Sequence, residues 1–415
     1  MAAPRKAWAV IFMDIQLTLT TLTYGGDAMG RYEGKAVFVP FALPGETVRA
    51  RIVEERKNFA RAELLEVLTP APQRIAPKCA HFATCSGCHY QHLPYADQLT
   101  AKSAILRDQL QRIGKIEHPP VAAAVGAPEV WGYRAQSAFL LDDEGRLAFP
   151  GLDGTPLPIV DCPLLTGPLA ALWPQVHADL LPILDLLTFR QGAGEDLMLI
   201  LASDDPTPPE LELEADISIA HLYADHAVVL AGDDHVVVEV NGRDFRISAA
   251  SGFPDNPTMT GRMIAYILAH LPPAPGFVVD VFAGVGLFSA FLAPHCQRLA
   301  AIEDLPAAVE DFAINLDAFE NVELYEAAPH QALPALDARP DVVILQPGAD
   351  GLERDDLDAL LTVAAPTLFY VSSNPATLAR DAARLIAGGY RLEQSTPFDV
   401  LPHTARIDSV SRFVR

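Results

Sequence analysis

The sequence is short of three things. It has no long apolar run: the stretch at residues 7–13 falls far below the roughly 20 residues a spanning helix needs. That stretch also lacks a small-residue cleavage site, so neither a membrane span nor a signal peptide is expected and the chain reads as cytosolic. Cysteines are few, five in 415 residues, which excludes a disulfide-stapled scaffold. Positive charge is scarce as well: 30 Lys and Arg stand against 53 Asp and Glu, a net charge of −23. That balance counts against extended polyanion binding by the chain as a whole, because phosphates are neutralised by Lys and Arg.

The charge is unevenly spread. Residues 1–115 carry fifteen basic and ten acidic side chains, net +5, and the remainder is −28. The N-terminal part can therefore meet phosphates, while the rest repels them unless its surface is segregated. Length allows two or three domains with real cores, and no internal repeat is evident.

Short β-patterned runs at 17–22, 35–39, 47–53 and 63–67, punctuated by Gly25-Gly26, Gly30 and Pro44-Gly45, predict a small barrel over residues 11–69. A Pro-rich linker follows at 70–77. Next comes a cysteine cluster, then a helix with Ile105, Leu106, Leu110 and Ile113 on one face and Gly114 at its end. Mixed strands and loops run to about 255, and these two parts make a central α+β region, 70–255. From 256 to 415 the rhythm alternates helix and strand. Strands are expected at 277–282, 299–303, 322–325, 342–345 and 368–372, and helices at 260–271 and 375–387. That rhythm implies a doubly wound α/β sheet.

Several stretches carry chemistry. The first is Asp280-Val-Phe282-Ala-Gly284-Val-Gly286, where an apolar strand ends in a Gly-rich turn. Glycines there let a ligand approach the backbone, and Glu303, nineteen residues after Gly284, ends the next strand where a carboxylate suits ribose hydroxyls. The three-glycine dinucleotide pattern is incomplete, and S-adenosylmethionine fits better. The second is Cys79-x5-Cys85-x2-Cys88, with Cys162 downstream. Four thiolates hold either an iron–sulfur cluster or a zinc ion, and the nearby His81, His89 and His92 keep zinc open. Cys296 reads as a buried thiol without a role. A third, the run from Tyr370 to Asp381, joins a strand to a helix; taken alone, a helix cap is its simpler reading. Last, His403, Arg406 and Asp408 bring polar groups near the C-terminus, where a lone histidine is more often structural than catalytic.

Together these stretches resemble the bacterial RNA (uracil-C5) methyltransferase family, in its iron–sulfur branch that modifies ribosomal RNA. The resemblance spans almost the whole chain. Residues 34–46 are similar to the family's TRAM barrel, an RNA-binding module. Residues 79–93 are similar to its cluster motif, Cys162 stands at the fourth ligand's place, and Ser-Asn-Pro-Ala-Thr-Leu-Ala-Arg-Asp at 373–381 is a specific match. The resemblance implies a 4Fe–4S cluster on Cys79, Cys85, Cys88 and Cys162, a C-terminal Rossmann-like methyltransferase domain, and RNA (rRNA or tRNA) held through residues 15–69. It also implies S-adenosylmethionine at Asp280, Phe282, Gly284, Gly286, Glu303 and Gln346, and favours a monomer.

In that family a cysteine thiolate adds to carbon 6 of uracil, carbon 5 takes the methyl group, and a carboxylate removes the carbon 5 proton. The nucleophile position is Ser373 here and the base position is Asp408, one methylene shorter than the usual Glu. A serine hydroxyl needs a dedicated base such as histidine, and His403 is the candidate in register. Further departures accumulate: Asp-Pro-Pro-Arg reads Gln346-Pro-Gly-Ala349, and Phe-Gln-x-Asn reads Phe253-Pro-Asp-Asn256. Weakened or lost methyl transfer is therefore expected. The alternatives are altered methyl-transfer chemistry and a non-catalytic iron–sulfur scaffold or redox protein.

Overall fold

Small side chains and β-branched residues alternating in and out build the first unit. The structure, a computed structural model, describes residues 13–176, 184–209, 216–224 and 226–415. All but Met13 of the apolar run at 7–13, and the first two residues of the expected barrel, lie outside them. Strands β1 (Met13–Leu22), β2 (Ala28–Tyr32), β3 (Lys35–Val39), β4 (Thr47–Glu55) and β5 (Phe59–Thr69) close into a barrel in the order β1-β2-β3-β5-β4. Its core is Ile15, Leu17, Leu19, Val37, Val39 and Val48 with small alanines, the size that fits a narrow interior. The Pro-rich linker is fixed to the barrel by Glu46. Its buried carboxylate accepts from the Leu43 N–H (2.8 Å), the Ala71 N–H (3.2 Å) and Arg74 Nε (2.7 Å).

Contacts divide the chain into two compact units. One ends at Ala101 and takes in His403–Ala405; the other comprises Lys102–Pro402 and Arg406–Arg415. The division falls within α1 (Tyr95–Arg112). Ile105, Leu106 and Leu110 are buried as the spacing predicts. Ile113 is not, because the helix stops at Arg112 and leaves it beyond the last turn, exposed.

The second unit holds two sheets of seven described strands. The first runs β12 (His226–Ala231), β11 (Ser218–Tyr223), β10 (Leu197–Ala202), β9 (Leu186–Gln191), β6 (Gln136–Leu141), β7 (Leu147–Pro150), β8 (Pro156–Pro158), with α2 (Gly167–Leu172) beside it in sequence. A hairpin, β13 (His235–Val240) and β14 (Arg243–Ser248), leads to α3 (Pro257–Ala269).

The remaining elements alternate: β15 (Phe277–Val281), α4 (Leu287–Leu292), β16 (Arg298–Glu303), α5 (Pro306–Asn315), β17 (Val322–Glu326), α6 (Pro329–Ala332), β18 (Val342–Leu345), α7 (Arg354–Val363), β19 (Thr367–Ser372), α8 (Pro375–Ala387), β20 (Arg391–Phe398) and β21 (Asp408–Val414). Their sheet is ordered β17-β16-β15-β18-β19-β21-β20, parallel up to β19 and antiparallel at β21. β15, β18 and β19 are buried along their whole length, which explains their continuous apolar runs. Chain order reverses between β15 and β18, so a crevice opens beyond their C-terminal ends, where such sheets bind ligands. No helix among the described residues is long and apolar enough to cross a membrane.

Candidate active site

The crevice is real: a cavity of about 420 Å³ lies at the C-terminal ends of β15, β18 and β19. Phe282, Gly284, Gln346, Ser373 and Asp408 of the expected set line it; Asp280, Gly286 and Glu303 do not. Each absence has a local cause. Gly286 has φ +87°, and a Cβ there would sit 2.1 Å from Leu316 Cδ2, so it serves close packing at the start of α4. Asp280 is buried and accepts from Ser289 Oγ at 2.7 Å; burial pushes its carboxyl up to about 7. Glu303 is spent on backbone: Oε2 accepts from the Gly284 N–H at 2.7 Å, and Oε1 from the Asp304 and Leu305 N–H groups at 2.9 Å each. That carboxylate shapes the Gly-rich turn from behind. Gly284 itself, at φ +56°, meets nothing within 4 Å where a Cβ would stand, leaving its cavity side open.

The run from Ser373 to Asp381 does more than cap a helix. Asn374 Oδ1 accepts from the Ala376 N–H at 3.0 Å as the α8 cap, while its Nδ2 donates to the Ala349 carbonyl at 2.9 Å. Thr377 Oγ1 donates to the same carbonyl at 3.0 Å. Arg380 Nη2 donates to the carbonyls of Asp350 and Leu352, and buried Asp381 Oδ2 accepts from the Leu352 N–H and Tyr370 Oη, both at 2.8 Å. These side chains clamp the loop after β18 that carries Gln346 onto the cavity wall. Ser373 is half-buried on that wall, and its hydroxyl makes no hydrogen bond among the described residues.

Asp408 opens β21 with its side chain 13% exposed. Its Oδ2 receives no hydrogen bond among the described residues, and Arg406 Nε stands 3.7 Å away. Burial raises its carboxyl to about 6, against the opposing pull of Arg406 and Lys102 and with the support of Asp399 and Asp255. Two further residues line the cavity: Asp255, to which the sequence assigned no role, and Arg406, which it marked only as a polar group near the C-terminus. Asp255, 3.7 Å from Arg134 Nε, is raised mainly by burial, and Arg406 is the one cation on the wall among the described residues. Asp255 sits between Pro254 and the α3 cap Asn256, a place where no periodicity marks a side chain as inward.

Among the described residues, no histidine lines the cavity. His403 belongs to the first unit, where its Nδ1 lies 3.1 Å from Gln98 Nε2, and its N–H donates to Gln98 Oε1 at 3.1 Å. The expected cluster ligands are part-buried thiols. The Cys79 N–H donates to Gln91 Oε1 at 2.9 Å, and the Gly87 N–H to Cys85 Sγ at 3.3 Å. Among the described residues, no group of three or more His, Cys, Asp or Glu side chains is gathered closely enough to hold a metal ion. Burial raises the Cys296 thiol to about 11, in keeping with an inert side chain.

Comparison with known proteins agrees with this architecture. The TRAM domain family matches residues 14–65. A solved structure of a Pyrococcus abyssi tRNA (uracil-54, C5)-methyltransferase in complex with S-adenosyl-L-homocysteine superposes with a TM-score of 0.74 at 20% identity, over 96% of this chain and all of that one, and so shares its fold. An uncharacterized RNA methyltransferase of Thermosynechococcus vestitus is 30% identical over 96% of this chain and 97% of its own. A 23S rRNA (uracil(1939)-C(5))-methyltransferase of Aeromonas hydrophila is 31% identical over 97% of this chain and 96% of its own. With identity of that order sustained along nearly the full length of both partners, the chain belongs to the RNA (uracil-C5) methyltransferase family.

Proposed function

We propose that this protein binds RNA, ribosomal or transfer, and a methyl-donor cofactor, and that its uracil-C5 methyl transfer is weak or lost. The observation that carries this reading is Ser373: among the described residues, its hydroxyl on the cavity wall has no hydrogen-bond partner and no imidazole lines the cavity. An alcohol with no base in hydrogen-bond range among the described residues has none to take its proton and is a far weaker nucleophile than a thiolate.

The cavity suits S-adenosylmethionine in part. Open backbone at Gly284, the Phe282 ring and the Gln346 amide line it, whereas Glu303 is committed to backbone donors. When bound, the cofactor would supply an electrophilic methyl group. The chain's own part would be to hold the uracil ring, attack carbon 6 through Ser373 Oγ, and remove the carbon 5 proton with Asp408. The first step lacks a base. The last does not, since a carboxyl raised to about 6 is ionised at neutral pH yet more basic than an ordinary aspartate. That intact base favours a second reading, methyl transfer by altered chemistry at another acceptor atom. The three-part division at 69 and 255, a cytosolic location and a monomeric state belong to this proposal. So does a 4Fe–4S cluster on Cys79, Cys85, Cys88 and Cys162, supported by sequence alone.

Incubation with S-adenosylmethionine and undermodified ribosomal RNA tests the reading. Little or no 5-methyluridine is expected; robust formation that disappears in Ser373→Ala overturns it. Calorimetry adds a check on both readings: each expects cofactor binding near micromolar, about −8 kcal/mol, and its absence leaves only a non-catalytic role.

A further inference from the structure

The outside of the barrel is not uniform. Along β2, β3 and the start of β5, strand alternation turns Gly30, Val37, Val39 and Ala60 inward and Arg31, Phe38, Phe59 and Arg61 outward. The pairing register sets Arg31, Ala36 and Phe59 in one row across the three strands, and Met29, Phe38 and Arg61 in the next. Phe38 and Phe59 are thus diagonal neighbours. Their ring centroids are 5.9 Å apart and their planes meet at 78°, each bracing the other. Both rings are partly exposed and neither belongs to the barrel core. Neither ring is fully buried, so part of each ring's surface stays open to solvent.

Charge marks the same wall. On β4, Arg49 is closed by Glu66 of β5 at 2.9 Å and Arg51 by Asp14 of β1 at 2.7 Å. On this wall Arg31 donates to the Gly34 carbonyl at 2.9 Å, with no carboxylate in ion-pair range among the described residues. Arg61, 58% exposed, has Asp27 and Glu54 only at 3.4 and 3.8 Å. Lys35 is paired with Glu55, and Lys57 is exposed in the turn before β5. The wall therefore offers two aromatic faces and a few loosely held cations.

That inventory favours one partner. A duplex hides its base faces and must be held by many phosphate contacts, which so few cations cannot supply. A single strand exposes base faces that stack on aromatic rings and needs only a few cations to follow its backbone. We propose that this wall is a stacking platform for single-stranded RNA, with bases laid on Phe38 and Phe59 and phosphates met by Arg31 and Arg61. The proposal rests on the RNA-binding reading above and assigns it a surface and a strand state.

The experiment is fluorescence anisotropy of the full chain with a labelled 12-nucleotide oligouridylate and, separately, an RNA hairpin of similar length. Phe38→Ala and Phe59→Ala are each expected to weaken oligouridylate binding about five- to 150-fold. Phe38→Tyr and Phe59→Tyr should restore it, which separates a lost ring from a disturbed barrel. Arg31→Ala should reduce the slope of log K against log salt by about 0.7, and Arg49→Ala on β4, where Glu66 already neutralises it, should change affinity little. Unaltered affinity in both alanine variants, or a hairpin bound as tightly as the single strand, overturns the platform while leaving RNA binding in place. If the wild-type chain binds neither RNA, the RNA-binding reading fails and the platform with it.

Discussion

Ser373→Cys is the sharpest perturbation available. The position is half-buried on the cavity wall, so exchanging oxygen for sulfur should alter stability by less than ~0.5 kcal/mol. Its effect on chemistry should be large. A missing general base is worth about 10²–10⁴ in rate, or roughly 2.7–5.4 kcal/mol of barrier. A thiol with an ordinary pKa of ~8.5 is about 3% thiolate at pH 7 and needs no such base. The start of α8, capped by Asn374, lies immediately after residue 373, and a helix N-terminus lowers a thiol's pKa further. With Asp408 raised to about 6, both groups reach their reactive ionised form as pH rises. 5-Methyluridine formation by Ser373→Cys should therefore climb between about pH 6 and 8.5 and exceed the wild type by at least ~100-fold. Mass spectrometry of the product nucleosides reads it. RNA carrying 5-fluorouridine adds an independent measure, since carbon 5 then has no proton to lose and the cysteine variant should be trapped as a denaturant-resistant adduct. A variant that binds cofactor and RNA yet gives neither product nor adduct refutes the reasoning, because the identity of the nucleophile would not be what limits the site.

Three other outcomes follow from the geometry. Because Asp280 is held protonated up to about pH 7, the native state binds more protons than the unfolded chain between pH ~4 and 7, and stability falls as pH rises through that window. Asp280→Asn should flatten the decline, worth about 4 kcal/mol at full extent, in urea melts at pH 4 and pH 8. Gly286→Ala forces a Cβ onto Leu316 at a positive φ and should cost about 1–3 kcal/mol by denaturant unfolding. Lys102 and Asp399 form a fully buried ion pair; Lys102→Met should cost about 3–5 kcal/mol, and Lys102→Met with Asp399→Leu should recover most of it, a double-mutant cycle that exposes the uncompensated carboxylate.

Much of the fold was legible because it is written in periodicity. The barrel strands alternate, and the continuous apolar runs of β15, β18 and β19 mark strands covered on both faces. The later part of β20 was not: Arg391–Phe398 carries Glu393, Gln394, Ser395 and Thr396 before its next apolar residue, so no apolar pattern marks it. Its later polar residues are buried beside β21, where the Ser395 and Ser411 hydroxyls lie 2.8 Å apart across the pair. Polar side chains that satisfy one another across a ladder give no hydrophobic signal.

The site divides the same way. Residue order alone indicated that a Gly-rich turn follows β15 and that Ser373 comes just after β19, because strand ends are fixed by where apolar runs stop. Tertiary structure alone decided which polar groups face the cavity. Glu303 turned from it toward three backbone donors, Gly286 was consumed by packing on Leu316, and Asp255 and Arg406 were brought onto the wall. The direction of a carboxylate depends on donors and charges supplied by other elements of the fold, and those neighbours exist only once the chain has closed on itself.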